Sequence, residues 1–274
     1  MSGGPSDPRR ARRTVTRIAA GVVRTEDDAV AVERALEIRI GGRPLAVTLR
    51  TPGDDVELVL GFLAGEGVIA RRGDVTAIRL APAACDDEPD AVEITLADAV
   101  RLDWTALERH FAASAACGLC GRAHLASLRA GLTPIPPGPP IAAAALVALP
   151  ERLREAQVTF AATGGLHAAA WCDAALAPRA LREDVGRHNA VDKIAGWLIE
   201  AGRYPADEGV LWVSGRAGAE IVLKAARALI PVLAAVGAPS TLAVDLAAAA
   251  AMTLVGFLRE GRMNVYAGAE RLAP

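Results

Sequence analysis

Aromatic residues are scarce in this chain: Phe, Trp and Tyr together make up 4% of 274 residues. A stacking platform for single-stranded nucleic acid is therefore not expected. Lysine is almost missing, with Lys193 and Lys224 the only two. Positive charge is carried by arginine, a composition bias that still supplies many guanidinium groups able to grip phosphate through paired hydrogen bonds. Neither sign of charge dominates, and a net charge of −2 gives no general drive toward nucleic acid. No stretch reaches the ~18 apolar residues of a membrane span. Asp245 interrupts the nearest candidate, Leu242 to Leu258. Cysteine is sparse too. Cys85, Cys117, Cys120 and Cys172 contain a single close pair, which is not a secreted disulfide framework and points to a reducing cytoplasm. Arg9, Arg10, Arg12, Arg13 and Arg17 invite a twin-arginine export reading, but the apolar run after them, Ile18 to Val23, is too short for a signal core. Residues 1–14 read instead as a disordered basic tail.

Apolar residues make up 52% of the chain and charged residues 23%, ordinary values for a globular protein of one large or two modest domains. β-Branched alternation predicts strands over 16–23, 30–40 and 44–49, with Gly41-Gly42 as a hairpin turn. A helix starts near Thr51–Asp55, carries Val56, Val59, Leu60 and Leu63 on one stripe, and stops at Gly65 and Gly67. Strands are expected at 75–80 and 91–96, and helices at about 104–113 and 122–130. Five prolines between Pro134 and Pro140 mark a linker, 134–140, between a smaller β-rich N-terminal lobe (15–133) and a second lobe (141–274). In the second lobe the pattern predicts helix 141–155, strands 157–161, 166–172 and 178–182, helix 186–201, strand 209–213, helix 217–228, strand 231–236, helix 240–250, and strands 253–257 and 263–267. Such alternation favours a layered α/β core with a largely parallel sheet.

Several segments of that lobe carry chemistry. Ser214-Gly215-Arg216-Ala217-Gly218 joins a strand to a helix, so backbone N–H groups, the helix dipole and Arg216 can face one anion. Thr163-Gly164-Gly165-Leu166-His167 is a second glycine turn, and its histidine starts a strand. Arg182 to Asn189 is the densest polar run. Asp184, His188 and Asp192 lie four apart on one helix face beside Asn189 and Lys193, with apolar neighbours that suggest a cleft. Phe257-Leu258-Arg259-Glu260-Gly261-Arg262 places two arginines three apart on a turn, suited to bracket a diphosphate.

The cysteine pair in Ser114-Ala-Ala-Cys117-Gly-Leu-Cys120-Gly121 can hold half a zinc site, exchange disulfides, or carry sulfur as a persulfide. Zinc lacks two further ligands at a familiar spacing, because His110 and His124 flank the pair and no second CxxC exists. Ala116 precedes Cys117, unlike the proline of zinc deaminases. Flanking glycines argue for a mobile, exposed segment. The helix start after Cys120, together with Arg122, would lower a thiol pKa from its usual ~8.5. Sequence alone does not separate sulfur carriage from redox exchange.

Taken together with Glu183-Asp-Val-Gly-Arg-His-Asn-Ala-Val-Asp-Lys193, Arg50-Thr-Pro-Gly53, Gly61-Phe-Leu-Ala-Gly-Glu-Gly-Val-Ile69 and Leu254-Val-Gly-Phe-Leu-Arg-Glu-Gly-Arg-Met-Asn-Val-Tyr266, these blocks resemble the formate dehydrogenase accessory sulfurtransferase family, FdhD. The likeness runs in order from about residue 30 to 267. It implies a cytoplasmic, homodimeric sulfur carrier that takes persulfide sulfur from an IscS-type cysteine desulfurase. The sulfur passes to the bis(molybdopterin guanine dinucleotide) molybdenum cofactor before insertion into formate dehydrogenase, and GDP-like nucleotides mimic that acceptor. By position, Cys117 matches the persulfide cysteine, Cys120 its partner, and Phe257 to Arg262 the cofactor-binding stretch. The resemblance also implies a second lobe like that of cytidine deaminases, without their metal chemistry. Glu260 departs from the glycine common in the family, and a carboxylate beside a diphosphate is unfavourable. Gly164, Gly165, His167, Gly215, Arg216, Asp184, His188 and Asn189 complete the expected cofactor site, the last three as readers of guanine edges or ribose hydroxyls. A cofactor-binding chaperone without sulfur chemistry and a zinc-stabilised module are the competing readings.

Overall fold

The arginine-rich start of the chain finds acidic partners on the strand that follows it. β1 (Arg10–Ala19) and β2 (Val22–Ala31) pair antiparallel over ten positions, turning at Ala20-Gly21, where both φ angles are positive. Arg17 forms an ion pair with Glu26 at 2.6 Å, Thr14 donates to Asp27 at 3.1 Å, and Arg13 lies opposite Asp28. Opposite charges across a ladder stabilise it. The disordered-tail expectation for 1–14 is therefore corrected for Arg10–Thr14: a basic run reads as a tail only while its acidic partner strand goes unrecognised.

The computed structural model describes residues 7–85, 87–104, 107 and 131–274. Cys117, Cys120, His110, His124 and most of the two helices expected around them lie outside the described residues.

β3 (Arg34–Ile40), β4 (Arg43–Arg50), β5 (Val75–Ala81) and β6 (Asp90–Leu96) form a sheet in the order β4-β3-β6-β5, with β3 and β6 parallel. Gly41 and Gly42, both at positive φ, make the expected hairpin turn. α1 (Asp55–Gly65) lays Leu58, Val59, Leu60 and Leu63 on Leu36, Ile38, Val92 and Ile94, all buried.

The second half is a mixed α/β layer structure. It begins with β7 (Ile141–Ala142), α2 (Ala143–Val147), α3 (Leu149–Arg154) and α4 (Val158–Thr163). Two expectations change here. The single helix 141–155 is broken near Pro150, whose missing N–H is tolerated only in a helix's first turn. The strand 157–161 is the helix α4, because the Glu183 carboxylate accepts the Thr159 and Phe160 amides at 2.9 and 2.7 Å and caps it from 23 residues away. The core sheet follows from β8 (His167–Cys172), β9 (Pro178–Asp184), β10 (Val210–Val213), β11 (Val232–Ala235), β12 (Thr253–Arg259) and β13 (Arg262–Ala267), in the order β13-β12-β11-β10-β8-β9. Only β10, β11 and β12 run parallel. The largely parallel expectation fails because the β8–β9 and β12–β13 connections are hairpin-short, and a parallel crossover needs a dozen or more residues. α5 (Arg187–Glu200), α6 (Ala219–Arg227) and α7 (Thr241–Ala249) cover one face, and α2 and α3 the other. β14 (Leu272–Ala273) pairs with β7.

The proline segment is tied down at Ile135 and Pro136. Ile135 is buried and donates its amide to Ala250, while Arg271 donates to the Ile135 and Pro136 carbonyls at 3.0 and 2.8 Å. The two halves also interlock where α1 crosses α5. A Cβ on Gly61 would overlap the Asp192 carbonyl, and one on Gly196 would overlap the Glu57 carbonyl.

Candidate functional site: a crevice at the carboxyl edge of the sheet

Three loops leave the carboxyl ends of β10, β11 and β12, and their backbones are stitched together. Gly237 donates to Gly215 O at 2.9 Å, and Phe257 donates to Gly237 O at 3.1 Å. The contacts demand glycine: a Cβ on Gly237 would stand 3.0 Å from Gly215 O, and one on Gly256 would stand 2.9 Å from Pro239 Cδ and 3.0 Å from Tyr266 Cε2. β8 enters at the same edge. Ser214 donates to the Ala168 carbonyl and its hydroxyl accepts the Ala168 amide, both at 2.9 Å, which places His167 Nδ1 3.4 Å from where a Gly215 Cβ would lie. Ligands of open α/β sheets bind outside the carboxyl ends of strands in this way.

The crevice is cationic. Arg216 is exposed on the first loop, and Arg187 starts α5 with its Cδ 4.0 Å from that same Gly215 position. Neither forms an ion pair among the described residues. α5 and α6 both open at this edge without a side-chain cap, whereas Ser240 caps α7. His188 Nε2 lies 3.1 Å from Glu220 Oε2. Burial holds the His167 imidazole below the ordinary value, and Arg187 adds to the effect. Burial also lowers His188, against the pull of Glu220, with Arg187, Lys224 and His167 adding to it.

Phe257 interrupts β12 at a bulge. Its φ is +51°, a left-handed value that a bulky residue rarely adopts and that surrounding contacts must enforce. Arg259 lies over its ring at 5.7 Å. Glu260 and Gly261, both at positive φ, form the β12–β13 turn, and exposed Arg262 pairs with Glu260 at 3.2 Å.

Gly215, Arg216, His167, His188, Phe257 and Arg259, all candidates from the sequence, lie along this one edge. Others do not. Leu258 is fully buried in the core behind the sheet. Gly164 ends α4 at φ +66°, and Gly165 packs against Ala31 at the base of the β1–β2 hairpin. Asp184 is 0% exposed and wholly engaged: it accepts from the Thr51, Gly186 and Asn189 donors and pairs with Lys193 at 2.8 Å. Asn189 Nδ2 donates to Leu49 O at 2.7 Å, and its Oδ1 accepts from Thr48. Asp184 and Asn189 join the two halves and present no free edge to a guanine, which corrects their expected role. Gly237, Pro239 and Glu220 escaped the sequence reading, and Arg187 and Tyr266 stood in its motifs without a site role; a glycine directly after strand 231–236 was the available signal. Burial pushes the Cys172 thiol up to about 12, so it is no nucleophile, and Cys85 is exposed.

The profile of the FdhD/NarQ family matches residues 31–273. The chain belongs to this family. It is 49% identical over 270 residues to the "Sulfur carrier protein FdhD" of Streptomyces coelicolor, covering 96% of this chain and 95% of that one. A protein of the same name from Nocardia farcinica is 50% identical over 265 residues, covering 96% and 94%. The fold matches a crystal structure from Desulfotalea psychrophila, of a protein assigned as a formate dehydrogenase accessory protein. Its TM-score is 0.77 at 23% identity, covering 97% of this chain and 100% of that one. Among the described residues no helix is long and apolar enough to cross a membrane.

Proposed function

We propose that the chain is a cytoplasmic, homodimeric sulfurtransferase serving formate dehydrogenase. Cys117 attacks the outer sulfur of a cysteine desulfurase persulfide. The bond from that sulfur to the desulfurase cysteine breaks, the desulfurase leaves as its thiolate, and Cys117 becomes the persulfide. The outer sulfur then passes to the bis(molybdopterin guanine dinucleotide) molybdenum cofactor, which is a substrate here, before that cofactor enters formate dehydrogenase: the Cys117–sulfur bond breaks, Cys117 leaves as its thiolate, and a reduced molybdenum centre supplies the two electrons that make the sulfur a sulfide. The crevice at the carboxyl edge carries this reading, because an acceptor with two guanine nucleotides needs cationic, backbone-lined ground for its phosphates. Arg187, Arg216 and Arg259 supply charge, the uncapped starts of α5 and α6 supply N–H groups, and Phe257 offers a ring face beside them. The names borne by the relatives in Streptomyces and Nocardia support the sulfur half of the reading.

Incubation with an IscS-type cysteine desulfurase and cysteine is expected to add one sulfur atom to Cys117, seen by mass spectrometry and absent after Cys117→Ala. No adduct on the unmodified chain, or equal labelling of the variant, overturns the transfer step. Full rescue of formate dehydrogenase activity in a null strain by Cys117→Ala with Cys120→Ala would favour a cofactor chaperone instead.

A further inference from the structure

The β1–β2 hairpin is an arm with uncovered apolar surface. Its ten-residue strands pair only with each other among the described residues. An isolated two-stranded ribbon is marginal in water, and its open edges invite pairing. The tip is apolar and bare: Ile18 is 71% exposed, Val22 51% and Val23 64%. At the other end α4 packs against β2, and Val158 and Phe160 on α4 are 58% and 42% exposed. Among the described residues the molecule therefore carries two unpartnered apolar spots, one at the tip of the arm and one at its base.

We propose that a second copy of this chain covers both. The two arms lie antiparallel, β2 against β2, about a two-fold axis, and each tip reaches the base of the other. Equal strands aligned this way bring Val22 and Val23 level with the opposite end of the partner's β2, beside its α4. The charges on β2 select the occupant. Arg24 has no ion pair among the described residues, and Asp28 has only a long one, 3.9 Å to Arg17. With Glu26 on the axis, Arg24 of each copy faces Asp28 of the other, Val22 faces Val30, and Val23 faces Ala29. The two axial Glu26 side chains are each already neutralised by Arg17 at 2.6 Å. An anionic lipid surface offers no cation to Glu26, Asp27 and Asp28 and would meet them unfavourably. A two-fold interface is self-complementary in this sense. The inference rests on the homodimer reading above and names its interface.

Sedimentation of the full chain at micromolar concentration tests it. The unmodified chain is expected at twice the monomer mass. Val22→Glu with Val23→Glu is expected at the monomer mass with an unchanged circular dichroism spectrum, since both sites are exposed in the single chain. Asp28→Arg is expected to be monomeric, and adding Arg24→Asp to it is expected to restore the dimer. A monomeric unmodified chain overturns the homodimer reading itself and leaves the arm to another partner. A dimer that survives the tip variant and Asp28→Arg leaves the homodimer standing and overturns this interface. Loss of the dimer without restoration by the charge swap overturns the β2 pairing.

Discussion

Arg187 approaches Gly215 from α5 and Arg216 follows Gly215 in the chain and packs on Gly237, and neither guanidinium has a carboxylate among the described residues to neutralise it. Charge-assisted hydrogen bonds contribute about 1.5–3 kcal/mol, so losing either is expected to weaken a bound diphosphate by roughly 10- to 100-fold. Calorimetric titration of GDP into Arg187→Ala and Arg216→Ala reads this directly; unchanged affinity in both would remove the anion role of the crevice. Asp184 makes the opposite prediction. Its carboxylate holds buried Lys193, which also donates to Thr51 O and Glu183 O. Deleting one partner of a buried pair costs about 3–5 kcal/mol. Asp184→Ala is therefore expected to lose that much stability in denaturant titration, while the folded fraction keeps its GDP affinity. Loss of affinity at full stability would return Asp184 to the ligand.

The crossing of α1 on α5 depends on two hydrogen atoms where other residues carry a methyl. Gly61 faces the Asp192 carbonyl and Gly196 the Glu57 carbonyl, each backbone against backbone, so no side chain can swing aside. Overpacking a core costs about 1–3 kcal/mol, more when backbone must shift. Gly196→Ala and Gly61→Ala are each expected to exceed about 2 kcal/mol, near the top of that range. Gly73→Ala, whose added carbon meets nothing within 4 Å, should stay within about 0.5 kcal/mol; equal effects in urea titration would refute the crossing as the cause. These glycines also show what was legible beforehand. Helices α1, α5, α6 and α7 and the glycine turn at Gly215 announce themselves locally, through apolar stripes and strand–turn–helix order. The partner that makes Gly61 necessary lies more than 130 residues away. The Glu183 cap that turns 158–163 into a helix, and the acids that make Arg10–Thr14 a strand, are likewise tertiary facts. Asp184 misled for the same reason: a polar helix start looks like a cleft until Thr51 and Leu49 are seen to fill it.

The halves of the molecule meet at a charged point as well as a close-packed one. Asp192 on α5 accepts from Lys224 on α6 at 2.6 Å, Lys224 also approaches Glu66 just after α1 at 4.0 Å, and its ammonium stands 5.8 Å from the Phe62 ring. Burial pushes the Asp192 carboxyl up from 3.8 to about 6, more than Lys224 can offset, and Glu66 and Asp184 add to the rise. At pH below 3.8 the folded and unfolded chains both carry this proton. Between 3.8 and about 6 only the folded chain holds it, so proton binding favours the fold. As pH climbs through about 6 that contribution disappears. The stability of the unmodified chain relative to Asp192→Asn should therefore decline as pH rises across this window and level off above it. Melting midpoints of the two proteins in matched buffers give the difference. A flat difference, or one that grows with pH, would mean that Lys224 keeps Asp192 ionised throughout, and that the joint is held by the ion pair rather than by a shared proton.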